Sequence, residues 1–283
     1  MTAKVTAFAP AKINLTLHVT GRRADGYHLL DSLVVFADIG DQITVQPATD
    51  LSLKVHGPMA RGVPADKSNL VLKAAAMFDT GQGAALDLHK DLPAASGIGG
   101  GSSDAAAALR ALSQFWKKSL PTAQDCLALG ADVPVCLNPK PQRMSGIGEQ
   151  LQLLSGIPDC PVLLVNPGVS VPTPLIFKAL KTPDNAPMQD QIPSFSAAAD
   201  FVAWLKKQRN DLQAPALQTA PIIGKVLETL RDLPGCALAR MSGSGATCFA
   251  IFSDRNQLVQ AAQNLKRTHP DWWVRTGLLQ GAS

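Results

Sequence analysis

The stretch LPAASGIGGGSSDAAAAL, Leu92 to Leu109, decides how the rest of the chain is interpreted. Four of the five positions from Gly97 to Gly101 are glycine, and their missing Cβ atoms let the backbone approach a ligand closely. The alanine-rich segment that follows predicts a helix. Its first N–H groups lack intrahelical partners and lie at the positive end of the helix dipole, which suits phosphate. A plain helix entry with a serine cap is the structural alternative, and the density of glycine favours phosphate.

Two better-known phosphate motifs do not fit this stretch. A Walker A loop requires a lysine after the glycines, and no lysine follows them here. The dinucleotide fingerprint requires glycine or alanine at its third position, where this chain has Ser102. If the loop binds phosphate, we therefore expect a site of another class.

Composition restricts the class of protein. The chain has 283 residues, of which 46% are hydrophobic and 17% charged, a balance typical of globular proteins. No apolar run approaches the roughly 20 residues that span a bilayer, and we recognise no signal peptide. The five cysteines are scattered without a zinc-type spacing, which indicates reduced thiols. We therefore expect a cytoplasmic protein with no membrane partner.

The basic residues are too dispersed to predict a nucleic-acid partner. The net charge is +4, but the basic residues occur in isolated pairs such as Arg22-Arg23 and Lys117-Lys118. A solvated surface with a mild preference for anions accounts for this pattern. We expect a small-molecule substrate, and a monomer or weak homodimer.

The remaining pattern mixes strands and helices without regular βαβ spacing, which favours an α+β fold. Residues from Ala11 to Val19 alternate between apolar and polar, which predicts a half-buried strand over Phe8 to Thr20. Asp25-Gly26 predicts a hairpin turn into a strand over Leu29 to Val45, and Ser68 the cap of a helix that ends at Phe78. Further predicted strands lie at 85–89, 248–252 and 272–275, helices at 122–129, 201–208, 221–231 and 257–266, and a mobile loop at 182–193. We place a domain boundary near Ile157, which gives domains 1–156 and 157–283.

Several motifs together are more specific than the glycine loop alone. In chain order they are PAKINLTL (10–17), RRADGYHLLDSL (22–33), LPAASGIGGGSSDAAAAL (92–109), GADVPV (130–135) and MSGSGATCFAIF (241–252). This set resembles the GHMP kinase superfamily over nearly the whole chain, and is most similar to those members that act on a cytidine-diphosphate-linked sugar alcohol.

The resemblance implies both a fold and a reaction. The fold would have an N-terminal part like the second domain of ribosomal protein S5 and a ferredoxin-like C-terminal part. The enzyme would be a small-molecule kinase that moves the γ-phosphoryl of ATP to the tertiary 2-hydroxyl of cytidine-diphosphate-linked methylerythritol, in the non-mevalonate route to isoprenoid precursors. Mg²⁺ would accompany ATP and be held mainly through its phosphates, with no metal ligand assigned to the protein.

The resemblance also implies the catalytic residues. Asp132, in GADVPV, would be the base that meets the substrate hydroxyl; the alternative is a turn-forming Asp, with Pro134 keeping Val133 extended. Lys12 would lie near Asp132 and stabilise developing charge. Asn14, two residues on, would orient the same hydroxyl or the carboxylate.

On the acceptor side, the resemblance implies an aromatic site for cytosine. Tyr27, the chain's one tyrosine, would stack on the base, and His28 would read its edge. Thr173, Pro174 and Phe177 would form the second side, with Phe177 completing an aromatic sandwich. Ordinary packing of a proline-ended loop is the alternative.

On the nucleotide side, the implied contacts are Asn69 and Lys90 near adenine, with a helix-terminal polar residue and a surface lysine as alternatives. Gly243 lies in a second glycine loop, Ser242 to Gly245, which would close over the site and contact substrate. The loop that holds the phosphates would comprise Pro93, Ala94, Ala95, Ser96, Gly97, Ile98, Gly99, Gly100, Gly101, Ser102 and Ser103.

Two other functions stay open at this stage. One is a different GHMP kinase of homoserine or mevalonate type, and the other is a non-enzymatic nucleotide- or RNA-binding protein. The segment from Cys136 to Glu149 departs from the family pattern, which leaves open whether Arg143 meets the substrate.

Overall fold

The computed structural model describes residues 4–281, and its mixture of strands and helices confirms the predicted α+β class. The strands, in chain order, are β1 (Val5–Asn14), β2 (His18–Arg22), β3 (His28–Gln46), β4 (Leu51–His56), β5 (Ala84–His89), β6 (Gln142–Gly146), β7 (Gln150–Leu153), β8 (Cys160–Asn166), β9 (Cys236–Met241), β10 (Cys248–Phe252) and β11 (Trp273–Gln280). The helices are α1 (Leu70–Ala76), α2 (Gly100–Trp116), α3 (Ala123–Cys126), α4 (Val133–Leu137), α5 (Thr173–Ala179), α6 (Ala198–Lys206), α7 (Gln213–Thr219), α8 (Ile222–Arg231) and α9 (Arg255–Thr268).

The predicted strand over Phe8 to Thr20 is wrong in two respects. The chain divides there into β1 and β2, and the face that we expected to be solvated is buried at Lys12, Asn14, Thr16 and His18. Internal partners allow this burial: the Asn14 amide donates to the Ser32 hydroxyl at 2.8 Å. The alternation located the strand correctly, but it could not reveal that both faces are covered.

The hairpin at Asp25-Gly26 is confirmed. Strands β2 and β3 pair antiparallel with Arg22 opposite His28, and Gly26 has a φ of +92°, a value that glycine adopts without steric cost.

Three local predictions are corrected. The N-cap of α1 is Asn69 in place of Ser68, because the Asn69 side chain accepts the Val71 N–H at 2.9 Å. The helix over 122–129 is shorter, since α3 spans Ala123–Cys126 behind a capping box at Thr122. The segment at Val133 is helical, because Pro134 lies in the first turn of α4, where no N–H is required. Strands β4, β6, β7, β8 and β9 and helices α5 and α7 were not predicted.

The described residues form two compact units, and the first comprises residues 4–11, 40–94 and 99–139. In it, the end of β3 pairs antiparallel with β5, Gln42 opposite His89, and β4 pairs parallel with β5. Helix α2 packs against α1 and α4 through a buried alanine run, Ala105 to Ala108. The small side chains let the helices approach closely and bring the N-terminus of α2 beside the end of β5.

The second unit comprises residues 12–39, 95–98 and 140–281. Its strand order β11-β8-β10-β9 is antiparallel throughout, and helices follow β8 and β10. That is the ferredoxin-like β-α-β-β-α-β arrangement. Its core buries alternate residues of β10, Cys248, Ala250 and Phe252, with the apolar faces of α8 and α9. The predicted division between residues 156 and 157 stays a prediction.

A membrane span is not found within residues 4–281, where each helix is too short or too polar to cross a bilayer.

Candidate active site

The N-terminus of α2 has the features expected of a phosphate site. Its N-cap is Gly99, in the left-handed conformation at φ +63°, and glycine has no side chain that could accept the first N–H groups. Gly99, Gly100 and Ser102 are half-buried and Gly101 is exposed. The backbone at the start of the helix therefore remains accessible to a ligand.

Two serines of the predicted loop lie inward. The Ser103 hydroxyl is fully buried and donates to the Pro10 carbonyl at 2.7 Å. Ser96 is also buried, and its carbonyl accepts the Thr247 N–H at 3.0 Å. Both residues anchor the loop, while Ala94 and Ala95 are exposed.

Lys90 is a buried, ion-paired lysine, and the surface lysine given as the alternative is excluded. Its side chain is 3% exposed, pairs with Asp41, and donates to Asp104 Oδ2 at 2.7 Å. Burial alone would lower the pKa of Lys90, but the two carboxylates outweigh it and raise that pKa. We call Lys90, Asp41 and Asp104 the acidic cluster; it lies directly beneath Gly100, where an added Cβ would be 3.6 Å from Lys90 Nζ.

Asn69 uses its side chain inside the protein. It caps α1 through Oδ1, and its Nδ2 donates to the Pro64 carbonyl at 2.6 Å. Asn69 is buried, and both ends of its side-chain amide are bonded to the protein. Any role near adenine would therefore be to hold the backbone of this segment in place.

Asp132 lies at the N-cap of α4, half-buried, directly before Val133. Its side chain does not cap the helix. The Val133 N–H donates to the Gly130 carbonyl at 3.0 Å, and Arg110 of α2 donates to the Cys136 carbonyl at 2.8 Å and to the Phe8 carbonyl at 2.7 Å. Helix α4 is thus fixed from both ends, which gives Asp132 a defined backbone position.

In the second unit, Lys12 and Asn14 lie at the end of β1. Lys12 is 4% exposed, and its N–H donates to the Ile98 carbonyl at 3.0 Å. The Asn14 N–H donates to the Ser242 hydroxyl at 3.1 Å. The Asn14 side-chain oxygen is buried and has no hydrogen-bond partner among the residues described. An orphan acceptor of this kind is costly, and it can accept a hydrogen bond from a bound hydroxyl.

The two glycine loops contact each other within this unit. The Ser242 hydroxyl donates to the Gly97 carbonyl at 3.0 Å, and Gly243 has a φ of +55°. A Cβ on Gly243 would be 2.9 Å from the Gly97 oxygen and 3.3 Å from Asn14 Oδ1. Glycine at 243 therefore permits the close approach that brings Asn14 and Gly97 together.

Asn210 was missed by sequence reasoning, although it fixes this second loop. Its buried amide donates to the Met241 carbonyl at 2.9 Å and to the Gly243 carbonyl at 2.8 Å. A single Asn between predicted helices gave no signal, because its partners lie about thirty residues away along the chain.

Of the residues predicted to hold the base, His28 begins β3, Tyr27 directly precedes that strand, and Phe177 lies on α5. The rings of His28 and Phe177 stack at 4.9 Å with an interplanar angle of 25°, whereas the Tyr27 side chain is 61% exposed. Burial and the nearby Arg22 lower the pKa of His28. Thr173 shares a 2.8 Å hydrogen bond with the Ser244 hydroxyl, and Pro174 follows it in the first turn of α5.

Arg143 is occupied by the protein itself. Its guanidinium forms a bidentate pair with Asp31, both distances being 2.8 Å. It also donates to the carbonyls of Gln189 and Asp190, and the Met188 N–H donates to Asp31 at 2.7 Å. This arrangement, which we call the Asp31 clamp, holds part of the loop predicted at 182–193.

Comparisons with known proteins identify the family. The GHMP kinases N terminal domain matches residues 69–141, and the GHMP kinases C terminal domain matches residues 194–271. The 4-diphosphocytidyl-2-C-methyl-D-erythritol kinase of Dinoroseobacter shibae is 56% identical over 98% of this chain and 95% of its own length. This chain belongs to that kinase family. It is therefore a small-molecule kinase, as the phosphate loop and the ordered motifs predicted.

Other members give the same result. The enzyme of that name from Ruegeria pomeroyi is 54% identical over 96% of this chain and 98% of its own length. A crystal structure of 4-(cytidine 5'-diphospho)-2C-methyl-D-erythritol kinase matches with a TM-score of 0.77 and 32% identity over 98% of this chain and all of that one. A homoserine kinase from Cytophaga hutchinsonii, 16% identical, matches with a TM-score of 0.66 over 99% of this chain and 96% of its own, and so shows the fold alone. The predicted GHMP kinase fold is confirmed.

Proposed function

We propose that this chain transfers the γ-phosphoryl group of ATP to the 2-hydroxyl of 4-diphosphocytidyl-2-C-methyl-D-erythritol, as a step of non-mevalonate isoprenoid precursor synthesis. The observation that carries the proposal is the 56% identity to a kinase of that name over nearly the full length of both chains. The alternative acceptors, homoserine and mevalonate, have support only from fold likeness, at 16% and 11% identity.

The nucleotide phosphates would bind at the loop Pro93 to Ser103. The accessible backbone at Gly99 to Ser102 supports this, since helical N–H groups and the helix dipole favour a phosphate anion there. Asn69 would act by holding the start of α1. Lys90 would act by holding the start of α2 through Asp104 and the loop entry through Asp41.

Mg²⁺ would arrive with the nucleotide. Among residues 4–281, no group of three or more His, Cys, Asp or Glu is arranged to hold a metal ion. The cation would be held mainly by phosphate oxygens and water, as magnesium often is. When bound, the ion would supply positive charge that offsets the charge of the phosphates.

The cytidyl end of the acceptor would bind at Tyr27, His28 and Phe177. Phe177 and His28 already present stacked rings, and the exposed Tyr27 ring offers a further platform for the base. The lowered pKa keeps His28 neutral near pH 7, so one ring nitrogen donates and the other accepts. Thr173 and Pro174 would shape the start of α5 beside the base.

Asp132, Lys12 and Asn14 would carry the chemistry. In the transfer, the 2-hydroxyl oxygen forms a bond to the γ-phosphorus while the bond from that phosphorus to the β,γ-bridging oxygen breaks, and ADP leaves. The hydroxyl proton goes to the Asp132 carboxylate. Lys12 stabilises the negative charge of the transferring group, and the orphan Asn14 oxygen orients the attacking hydroxyl. Gly243 would let the second glycine loop lie close to Asn14.

Location and assembly remain predictions made from the sequence. We expect the enzyme in the cytoplasm, as a monomer or weak homodimer, without a nucleic-acid or membrane partner.

Phosphorus NMR of the reaction mixture tests the proposed function. With ATP, Mg²⁺ and the cytidyl acceptor, a new phosphate monoester resonance should appear as the γ-phosphate signal falls, while the diphosphate signals of the acceptor persist. Hydrolysis to inorganic phosphate without a monoester signal would contradict the proposal. Asp132→Asn is the matched control, because it removes the proposed proton acceptor and keeps the shape of the side chain.

A further inference from the structure

The acidic cluster contains more negative than positive charge. Lys90 is one ammonium, whereas Asp41 and Asp104 are two carboxyl groups, and all three side chains are almost fully buried. The second oxygen of Asp104, Oδ1, is buried and lacks a hydrogen-bond partner among the described residues. A buried carboxylate normally has its oxygens satisfied, so this side chain requires an explanation that packing does not supply.

The cluster joins the three segments that define the start of the phosphate loop. Asp41 lies on β3, Lys90 follows β5, and Asp104 lies in the second turn of α2. Asp41 Oδ1 also accepts the Asp91 and Leu92 N–H groups, at 2.5 and 2.8 Å. One carboxylate therefore binds both the lysine and the backbone that enters the loop at Pro93.

We propose that Asp104, acting with Asp41 and Lys90, is a positioning residue that tunes nucleotide binding at the N-terminus of α2. This inference rests on the proposed role of the glycine loop as the ATP phosphate site. Asp104 does not touch the phosphates; it acts through the loop entry and the electrostatic potential at Gly100, which lies within contact distance of the cluster.

The protonation state of Asp104 sets the net charge of the acidic cluster, and that charge affects phosphate binding at the start of α2. Burial raises the pKa of Asp104 to about 8; Lys90 opposes this rise and the like charge of Asp41 adds to it. With Asp104 protonated, the cluster is neutral: Lys90 carries a positive charge and Asp41 a negative one. Loss of that proton leaves a net negative charge beneath the helix end, where it weakens the attraction for phosphate.

The surroundings of Asp104 offer few other charges. Among the described residues, Lys90 and Asp41 are the charged groups that act on it. Helix α1 buries Val71, Ala74 and Ala75, and α4 buries Val133, Pro134, Val135 and Cys136. The loss of a proton from the cluster near pH 8 should therefore be that of Asp104.

The test measures the dissociation constant of ADP with Mg²⁺ by calorimetry from pH 7 to pH 9.5, in the wild type and in Asp104→Asn. Over this range the phosphate charge is nearly constant, because a phosphate monoester has a second pKa of about 6. We expect the wild-type constant to rise about fivefold through pH 8, as for a charge at a helix end, and the Asn variant to stay flat. Asp79→Asn, which removes an exposed carboxylate of the same unit, should keep the wild-type profile.

Asp41→Asn sharpens the test. It removes the like charge that helps to raise the pKa of Asp104, so the midpoint of the binding profile should move to lower pH while an amide oxygen can still accept the Asp91 and Leu92 N–H groups. An unmoved midpoint would contradict the inference, as would identical profiles for the wild type and Asp104→Asn. A pH-dependent ADP affinity without turnover on the cytidyl acceptor would contradict the proposed acceptor and support the inference.

Discussion

The acidic cluster and the Asp31 clamp are two ion networks built on buried aspartates, and they differ in how the cation is shared. In the clamp, one guanidinium forms a bidentate pair with one carboxylate at 2.8 Å. Backbone carbonyls and a backbone N–H occupy further hydrogen-bonding positions of the two groups. In the acidic cluster, one ammonium serves two carboxyl groups and leaves an oxygen of Asp104 without a partner. The first network is balanced and fixes a loop, whereas the second holds a proton that can be lost.

The difference follows from the chemistry of the two cations. Arginine presents a planar fork that matches one carboxylate, and its remaining N–H groups reach carbonyls. Lysine is a point charge that several anions can share. A network built on Arg143 therefore gives a single geometry, whereas the network built on Lys90 permits two protonation states beneath the phosphate loop.

The largest expected effect comes from removing each cation. Lys90→Met leaves two buried carboxyl groups without a counter-ion and should lower the free energy of unfolding by about 3–5 kcal/mol. Arg143→Met should cost less, because the Asp31 carboxylate keeps its bond from the Met188 N–H and Arg143 is partly exposed. Urea unfolding followed by tryptophan fluorescence compares them, and an equal or larger loss for Arg143→Met would overturn the ranking.

Asp132 belongs to neither network. A substitution there should therefore change the catalytic rate without changing the stability of the fold. Asp132→Asn should lower kcat by at least about 10²-fold, the low end for loss of a general base, with little change in the urea midpoint. Steady-state kinetics and unfolding on the same preparation provide the measurement. Turnover close to that of the wild type would remove Asp132 from the mechanism.

Phe177 tests whether the acceptor side is independent of the acidic cluster. Phe177→Ala should raise the KM for the cytidyl acceptor about tenfold, as expected for loss of one base-stacking contact, and leave the KM for ATP unchanged. Phe177→Tyr, which keeps the ring, is the control and should retain most of the affinity. An effect confined to ATP would place Phe177 on the nucleotide side.

The last effect is the smallest per pH unit: the stability of Asp104→Asn relative to the wild type changes gradually with pH. The folded state holds a proton on Asp104 up to about pH 8, whereas the unfolded chain releases it near pH 4. Wild-type stability should therefore fall as pH rises between these values, with a slope of at most about 1.4 kcal/mol per pH unit. The Asn variant lacks this slope, so its advantage over the wild type should grow from pH 5 to pH 8 in urea titrations. A constant difference would show that Asp104 keeps an ordinary pKa.

The fold and the family could be predicted because they depend on local sequence. The glycine loop, the Asp25-Gly26 turn and the strand at Cys248–Phe252 are each specified by adjacent residues. Order and spacing of the motifs then distinguished this family from other phosphate-binding proteins.

The networks could not be predicted, because their members are far apart along the chain. Asp41 and Lys90 are 49 residues apart, and Asp31 and Arg143 are 112 apart. The position of Asp104, between the glycine loop and an alanine-rich helix, is a signal in the sequence that could have indicated a buried carboxylate. The polar face of β1 misled for the same reason: the Asn14 backbone N–H donates to Ser242 and its side-chain amide to Ser32, and alternation alone does not reveal these distant partners.

The most direct test of the account is ADP release from ATP and Mg²⁺ with 4-diphosphocytidyl-2-C-methyl-D-erythritol, homoserine and mevalonate offered separately. We predict turnover with the cytidyl compound alone. Turnover with homoserine or mevalonate in its place would retain the fold and the phosphate loop, but it would contradict the acceptor assigned to this chain.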